Sequence, residues 1–422
     1  MTALRSDARL AFTRATVFDS TAGCLRPGAT VVVRGEQIED VLFDATPVHD
    51  ARVVDLAGRS LLPGLIDAHV HITATSARLL DLTSTPPSLV AAQAKDILWG
   101  MLMRGFTTVR DAAGADFGLV EAVRRDIFHG PRLFIAGHAL SQTGGHGDGR
   151  PMGAHRLMCT CESIGVLGIV ADGVSAVRRA AREQLRGGAH HLKIMAGGGV
   201  ASPTDPIDGT QYSVDELRAI CEEAEAANTY AMAHAYTPRA ISRAVRAGVK
   251  TIEHGNMLDA ASAQLMREHS AALVPTLVTY DALAGEGKAL HWPATMLEKL
   301  QRVRALGVES LRIAQDAGVE IGFGTDLLGH MHVHQSHEFA LRLPAMPMAQ
   351  ILQSATSVNA RFMRQEGRLG VISRGALADL IVVDGDPLAD PSLLAGQGEA
   401  LRLVMKGGRI YKDELQIQGE RT

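Results

Sequence analysis

The sequence predicts an α/β fold: a distorted TIM (β/α)8 barrel with a small β-sandwich domain formed by the N- and C-terminal segments. The first observation behind this prediction is that short apolar runs alternate with helical patterns between Leu62 and Ala360. Repeated strand and helix units imply a parallel sheet with helices outside. About eight such units can be counted, which is the number that closes a barrel of parallel strands.

The second observation is that the two ends of the chain differ from its middle. Residues 9–57 and 376–412 contain short β-rich runs, and small antiparallel sheets are the simplest interpretation of such runs. Because both flanks lie outside the barrel, we expect them to pair with each other. The predicted domains are a β-sandwich made from 1–62 and 366–422 and a barrel at 63–365.

Helix signals between the apolar runs support the alternation. A capping box at Ser213–Glu216 opens a helix toward Ala227, directly before an apolar run. Thr237 is a helix N-cap followed by proline at the first helical position, and the helix that it starts is expected to end at Gly248. Further helices are expected over 172–186 and 259–269.

Six side chains that are able to bind metal ions recur at the ends of the apolar runs: His69, His71, Lys193, His234, His254 and Asp326. In a parallel barrel the carboxyl ends of the strands converge on one face, which is where such folds keep their chemistry. His69 and His71 are two residues apart on a strand, so their imidazoles point to the same side and can bind one cation. This pattern indicates a metal-dependent hydrolase.

Composition excludes several other classes of protein. The chain has 422 residues, 46% of them hydrophobic, and a formal charge of -4, so it has no basic footprint for nucleic acid or for an acidic membrane surface. No apolar stretch reaches the roughly 18 residues that a membrane span needs. The first residues lack the apolar core of a secretory signal, so we expect a cytoplasmic protein, unless an export signal has been trimmed. Four cysteines do not make a disulfide scaffold, and Cys159 and Cys161 are expected to be ordinary thiols.

Several motifs resemble the amidohydrolase superfamily over nearly the whole chain. They are Pro-Gly-Leu-Ile-Asp-Ala-His-Val-His at 63–71, the lysine, histidines and Gly-Thr-Asp (324–326) at later strand ends, and the tail at 375–387. Within the superfamily, 190–195 with Gly197–Gly199, together with Gly144–Asp148, are similar to the branch of prolidase-type dipeptidases and ochratoxin-hydrolysing amidohydrolases (ochratoxinases).

The resemblance implies a centre of two divalent ions, most simply Zn²⁺, although the ligand types also suit manganese or cobalt. It assigns His69, His71 and Asp326 to the first ion and His234 and His254 to the second. Lys193 would bridge them as an N6-carboxylated lysine, since an ammonium has no lone pair to give. Asp326 would also be the general base. The implied reaction is attack by a metal-bridging hydroxide on the amide bond to a C-terminal amino acid, as in ochratoxin A, N-acyl amino acids or dipeptides.

Substrate contacts are predicted at three positions. His146 lies in a long glycine-rich connection and could bind a substrate carboxylate, although a turn histidine is the simpler alternative. Tyr236 follows His234 by two residues and could donate to the same carboxylate or to an oxyanion. His330 follows Asp326 and could line the pocket. Arg110 and Asp111 at the second strand end suit an internal ion pair as well as a ligand contact.

Two alternatives to this function remain open. The first is a cyclic-amide or imidazolone hydrolase of the same superfamily, and the second is a catalytically silent scaffold, against which the full ligand set argues. Deaminase branches fit less well, because they commonly use one metal and no bridging lysine. A small-molecule substrate, no nucleic-acid or membrane partner, and a homo-oligomer are expected.

Overall fold

The computed structural model describes residues 9–44, 48–150, 166–202, 205–286, 292–415 and 417. Cys159 and Cys161, and with them the prediction that they are ordinary thiols, lie outside these ranges. No helix within the described ranges is long and apolar enough to cross a membrane.

Seventeen strands and thirteen α-helices alternate through most of the described chain. The strands are β1 (Arg9–Asp19), β2 (Cys24–Arg34), β3 (Gln37–Leu42), β4 (Arg52–Asp55), β5 (Ser60–Pro63), β6 (Leu65–Val70), β7 (Phe106–Asp111), β8 (Arg132–Ile135), β9 (Ala139–Ser141), β10 (Gly168–Val170), β11 (Leu192–Met195), β12 (Ala231–Ala235), β13 (Thr251–His254), β14 (Ala272–Val274), β15 (Leu380–Val383), β16 (Leu401–Lys406) and β17 (Arg409–Asp413). The helices are α1 (Leu79–Leu82), α2 (Pro87–Met103), α3 (Phe117–Arg124), α4 (Val174–Arg186), α5 (Val214–Ala226), α6 (Pro238–Ala247), α7 (Ala260–Glu268), α8 (Leu277–Glu286), α9 (Ala294–Asp316), α10 (His337–Arg342), α11 (Met348–Gln353), α12 (Asn359–Phe362) and α13 (Ser392–Ala395). A 3₁₀ helix covers Gly329–His334, and a π-helical turn covers Ser354–Val358.

Two parallel sheets form the middle of the molecule. One has the strand order β10-β9-β11-β12-β13-β14 and the other the order β6-β7-β8. Backbone hydrogen bonds link the two sheets on both sides. His190 N donates to Ile135 O at 2.8 Å, next to β11 and β8. On the other side, Gly322 N donates to Leu273 O and Ala68 N donates to Phe323 O, so the segment 320–323 lies between β14 and β6.

The terminal segments come together in one eight-stranded sheet, as their β-rich composition predicts. Its order is β17-β16-β15-β5-β1-β2-β3, with β4 paired to β1. The β15–β5 pair joins the C-terminal segment to the N-terminal one. The sheet is mixed rather than purely antiparallel, because β1 pairs in parallel with both β4 and β5.

The predicted helix signals are confirmed. Ser213 forms the capping box with Glu216 at the start of α5. The Thr237 side chain accepts a hydrogen bond from Ala240 N, and α6 ends at Gly248 in the left-handed conformation. The helices predicted over 172–186 and 259–269 are α4 and α7.

The apolar run at 321–326, which ends at Asp326 and is counted among the strands of the predicted barrel, does not form a regular strand. Only Ile321 pairs, in an isolated bridge with Leu273. The peptide groups beyond it have other partners: Phe323 N donates to the Asn359 side chain at 3.0 Å, while the backbone N–H groups of Thr325 and Asp326 both point to His69 O. A ladder of evenly spaced hydrogen bonds is therefore impossible in this segment.

One buried amide side chain holds this irregular segment against β6. The Asn359 Oδ1 atom accepts from Phe323 N, and its Nδ2 atom donates to Ile66 O at 2.8 Å and to Phe323 O at 2.9 Å. The side chain is fully buried. Asn359 thus supplies the bonds that a regular strand would have made with its neighbours.

Replacement of Asn359 by leucine should destabilise the protein by about 2–4 kcal/mol, because the buried Phe323 N would lose its partner and Ile66 O and Phe323 O would each lose a hydrogen bond. Urea denaturation measures this loss. Gln350→Ala, which removes an exposed amide paired with Gln315, is the control and should change stability by less than about 0.5 kcal/mol. Equal midpoints for the two variants would contradict the role given to Asn359.

Candidate active site

Two histidines at the end of β6 lie close to one aspartate, which ends the irregular segment 321–326 beside β14. The Nε2 atoms of His69 and His71 lie 3.4 Å and 3.2 Å from Asp326 Oδ1. One nitrogen or oxygen atom from each of the three residues lies within 4.8 Å of the others, and no other group of three such side chains in the described ranges is as compact.

The far side of each imidazole is anchored by the protein. His69 Nδ1 contacts Glu253 Oε2 at 2.7 Å, and His71 Nδ1 contacts Ala113 O at 3.0 Å. Histidines that bind metals usually donate their second ring N–H to a carboxylate or a carbonyl in this way, which fixes the tautomer and the orientation of the ring. Both Nε2 lone pairs are therefore directed at the region around Asp326.

The geometry fits a divalent metal ion. Two ligands at about 2.0–2.1 Å from a tetrahedral ion lie about 3.3 Å apart, close to both separations from Asp326 Oδ1. The buried Nε2 atom of His69 also lacks a well-formed hydrogen bond within the described part of the chain. Imidazole nitrogens and a carboxylate are ligands that zinc accepts readily.

Strand register brings Lys193, His234 and His254 to the same face. In the parallel sheet Met195 pairs with His234, and Ala235 pairs with His254. The ring of His254 lies 4.9 Å from that of His69 and 4.7 Å from that of His234, measured between ring centroids. Together with the first three residues, these side chains line one cavity.

His234 and His254 also each have one ring nitrogen in contact with a protein group. His234 Nε2 contacts Gly198 O at 3.0 Å, and His254 Nδ1 contacts the Thr276 hydroxyl at 2.8 Å. The structure therefore leaves Nδ1 of His234 and Nε2 of His254 as the nitrogens free to bind a ligand. Such held tautomers are again typical of metal ligands.

Two site residues have a left-handed backbone. His254 has φ 72° and Asp326 has φ 55°, a region that residues other than glycine adopt uncommonly. Strain of this kind persists only where the surrounding contacts impose it, and it concentrates at functional sites. At both positions it marks the end of the extended segment and the point where the side chain joins the cluster.

Burial and neighbouring charges shift the pKa values of the cluster. Burial alone would raise the pKa of the Asp326 carboxyl, but His69, His71 and His254 outweigh it and hold that pKa well below its ordinary value. Burial lowers the pKa of His254 well below its usual range. It also lowers the pKa of Lys193 to about 8. The site thus favours an ionised Asp326 carboxylate and a neutral His254 imidazole, the forms that bind metal ions. For His71, burial would lower the pKa, but the carboxylates of Asp326 and Asp111 outweigh it and raise that pKa.

Glu253 is a site residue that the sequence analysis missed. Its carboxylate contacts His69 Nδ1 and accepts two hydrogen bonds from Arg110 Nη2, at 3.0 Å and 3.1 Å. Both side chains are fully buried. The sequence did contain a signal for Glu253. Thr251 and Glu253 are two residues apart on a strand, so both side chains point to the same side, and a glutamate that faces a barrel interior is almost never buried unless it is paired.

The pair that involves Arg110 is an internal one, as the sequence allowed. Its Nε atom also donates to Ala68 O at 2.6 Å. Asp111 is not its partner: the Asp111 carboxylate accepts from the backbone N–H groups of Ile72 and Ala115 instead. Burial raises the pKa of Asp111 to about 6.

A cavity of about 260 Å³ opens above the cluster. Most of its wall is aliphatic, with Leu82, Val166, Leu283 and Leu328 among the lining residues. His146 and Tyr236 also line it, as does every one of the six side chains singled out as metal ligands. Concave, mostly apolar sites with a few convergent polar groups are typical of ligand binding.

His330 is not brought to this cavity. Its side chain is 68% exposed and its Nε2 atom is paired with the carboxylate of Glu286 at the end of α8. The 3₁₀ helix that carries it buries Met331 and His332 and turns His330 outward. The structure therefore gives no support to a substrate contact at this position, and we leave His330 out of the proposed site.

The fold and the site define an enzyme with a TIM-barrel-like α/β fold and a candidate metal centre at the strand ends. The chain belongs to the amidohydrolase family, whose sequence model matches residues 60–410. It is a hydrolase of amide or peptide bonds, and enzymes of this family generally depend on metal ions.

Known relatives include proteins of two named activities. A prolidase crystallised with N-methylphosphonate-L-proline is 49% identical, with a TM-score of 0.94 and coverage of 96% of this chain and 100% of that chain. The ochratoxinase of Aspergillus niger is 32% identical over 368 residues, which cover 83% of this chain and 75% of the relative. A Xaa-Pro dipeptidase with bound methionine is 28% identical, with a TM-score of 0.85 and coverage of 96% and 100%.

We expect Glu253→Gln to lower the affinity for metal by about 10- to 100-fold, because His69 would lose its charged anchor. Zinc affinity is measured by competition with a chromogenic chelator. The matched control is Glu223→Gln, which removes a carboxylate paired with Arg178 and Arg182 on outer helices. The anchoring role is contradicted if the two variants bind zinc equally well.

Proposed function

We propose that this protein is a binuclear metal-dependent amidohydrolase that cleaves the amide bond to a C-terminal amino acid. N-acyl amino acids, dipeptides and ochratoxin A represent this substrate class. The observation that carries the proposal is the convergence of His69, His71 and Asp326 at the floor of a cavity that Lys193, His234 and His254 also line. The names of the prolidase and ochratoxinase relatives support the same class of bond.

Two groups of residues would hold the ions. His69, His71 and Asp326 would bind the first ion, for which zinc is the simplest choice, and His234 and His254 would bind the second. Lys193, as its N6-carboxylate, would supply oxygens to both. When bound, two such ions lower the pKa of a water molecule and polarise a carbonyl group, which is the help that a neutral amide needs.

Asp326 would carry the proton during hydrolysis. Its carboxylate would accept one proton from the attacking water as the new C–O bond forms. It would then give that proton to the amide nitrogen as the C–N bond breaks, so the products are a carboxylic acid and an amine. Its position at the floor of the cavity, 3.2 Å from His71 Nε2, supports this role because the same carboxylate faces both the cluster and the substrate space.

His146 and Tyr236 would orient the substrate. The Tyr280 hydroxyl donates to the Tyr236 hydroxyl at 3.0 Å, which leaves the proton of Tyr236 available for a substrate oxygen. His146 stacks on His234 with ring centroids 4.5 Å apart, so a carboxylate bound by His146 would lie beside the scissile amide. The aliphatic wall of the cavity would then receive the apolar part of the substrate.

The finer architecture belongs to the same proposal. The hydrogen bonds that link the two parallel sheets on both sides support a closed, distorted (β/α)8 barrel at 63–365. The mixed sheet shared by the two termini supports a separate small domain, a β-sandwich from 1–62 and 366–422. The resemblance to the family favours a homo-oligomer.

Asp326→Asn should lower kcat by at least about 10⁴-fold, since the amide can neither accept the proton nor bind metal as a carboxylate does. Circular dichroism should show an intact fold. Asp281→Asn, which alters a half-buried aspartate paired with Arg304 and His337 outside the ligand cluster, is the control and should retain activity. Near-normal turnover by the Asp326 variant would show that the assigned proton carrier is wrong.

A substrate panel tests the reaction itself. Metal-quantified protein should release the C-terminal amino acid from N-acetyl-phenylalanine, Ala-Pro or ochratoxin A, and a chelator should abolish the release because the ligand cluster would be empty. Added zinc should restore it. Hydrolysis of a cyclic imide alone would favour the cyclic-amide alternative, whereas protein that binds no metal and turns over nothing would favour a scaffold.

A further inference from the structure

The triple-glycine motif begins a loop that covers one side of the cavity. We define the glycine loop as residues 197–202 and 205–209. It is closed on itself by backbone hydrogen bonds from Gly198 N to Gly209 O and from Gly209 N to Pro206 O, each 3.0 Å long. Val200, Ala201 and Ser202 of this loop line the cavity. The position of the loop therefore sets the shape of one cavity wall.

A lysine from a distant helix holds this loop from outside. Lys299 on α9 donates from Nζ to Gly199 O at 3.2 Å, to Ser202 O at 2.9 Å and to Asp205 O at 2.5 Å. An ammonium group has three N–H donors, so three convergent carbonyl oxygens satisfy it fully. Lys299 thus joins the carbonyl groups of three loop residues through one ammonium group.

A buried aspartate within the loop stabilises the same turn through its side chain. Asp205 Oδ2 accepts from Gly199 N at 2.8 Å and from Gln211 Nε2 at 3.1 Å. The same oxygen lies 3.7 Å from His146 Nδ1. The Asp205 side chain is only 4% exposed. Lys299 and Asp205 therefore act on the same turn of the loop, Lys299 through three carbonyl groups and Asp205 through the N–H group of Gly199.

The backbone of the glycine loop packs directly against the His146 ring. A Cβ atom added to Gly199 would lie 1.8 Å from His146 Cε1, closer than any side chain allows. On its other face the His146 ring stacks on His234, with 25° between the ring planes. The imidazole of His146 is thus confined between the loop backbone and a proposed metal ligand. Only glycine at 199 allows this approach.

We propose that Lys299 is a positioning residue of the active site, which clamps the glycine loop onto His146 and so fixes the cavity wall that contacts the substrate. Lys299 itself does not line the cavity, so it acts through the loop. The inference rests on the proposed function where it concerns substrate, but the clamp itself can be tested without any substrate. Asp205 completes the clamp by accepting from the Gly199 N–H group.

Lys299→Met keeps the aliphatic stem and removes the donors. We expect KM to rise by about tenfold, measured with whichever substrate of the panel the wild type cleaves. The loss of one or two hydrogen bonds to a charged group changes a binding constant by about this much. The kcat should fall much less, and the metal content should not change, because the ligands are not touched. Asp205→Asn should raise KM as well, and the double variant should fall short of the product of the two effects, since both act on one loop.

Lys406→Met is the matched control. Lys406 is also a half-buried lysine that donates to a carbonyl group, that of Gly130, but it belongs to the terminal sheet. We expect this variant to leave KM unchanged even if it lowers the melting temperature. Equal changes in KM for the Lys299 and Lys406 variants, or none for either, would overturn the proposal.

Hydrogen exchange separates the clamp from the proposed function. In Lys299→Met the Gly199 amide should exchange at least about tenfold faster than in the wild type, whether or not any substrate is cleaved. Unchanged exchange there would overturn the clamp. A wild type that cleaves nothing in the panel, combined with faster exchange in the variant, would refute the proposed function and leave the clamp standing.

Discussion

The centre of this structure depends on the contacts that the buried Glu253 carboxylate makes with Arg110 and His69. Each of the two carboxylate oxygens accepts a hydrogen bond from Arg110, and one of them also contacts His69. The carboxylate therefore connects β7, β13 and β6. Removing two charges from water costs several kcal/mol each, and only close pairing with further hydrogen bonds offsets that cost. Arg110 meets this condition by also donating to Ala68 O and Thr251. The pKa of Glu253 is held at about 2, with Arg110 and His69 outweighing burial.

The opposite side of the cluster depends on polar side chains rather than on a regular strand. Asp67 accepts from the Thr325 hydroxyl at 2.6 Å and from Gln335 Nε2 at 2.9 Å, and Asn359 binds the neighbouring peptide groups. Asp326 therefore adopts a left-handed backbone conformation at the end of this segment, one residue after the anchored Thr325. A regular strand would turn successive side chains to opposite faces, whereas this segment can place the carboxylate beside both His69 in β6 and His71 just after it.

Above this polar floor the cavity is largely aliphatic, and the two regions are held differently. The floor is fixed by strands and buried charges. The wall contributed by the glycine loop is fixed by donors from Lys299 and by the acceptor atoms of Asp205. Loops that carry binding residues are more variable than the scaffold beneath them. The floor and this wall of the cavity therefore depend on different contacts.

The sequence by itself determined the alternation of strands and helices, the caps of α5 and α6 and the positions of the six candidate ligands, because these depend on periodicity and spacing within short segments. Only the tertiary structure decided which nitrogen of each imidazole is anchored, that Glu253 stands behind His69, and that His330 faces Glu286 on the surface. Glu253 and His69 are 184 residues apart. Contacts of that kind depend on how strands and loops meet in space, and no local pattern records them.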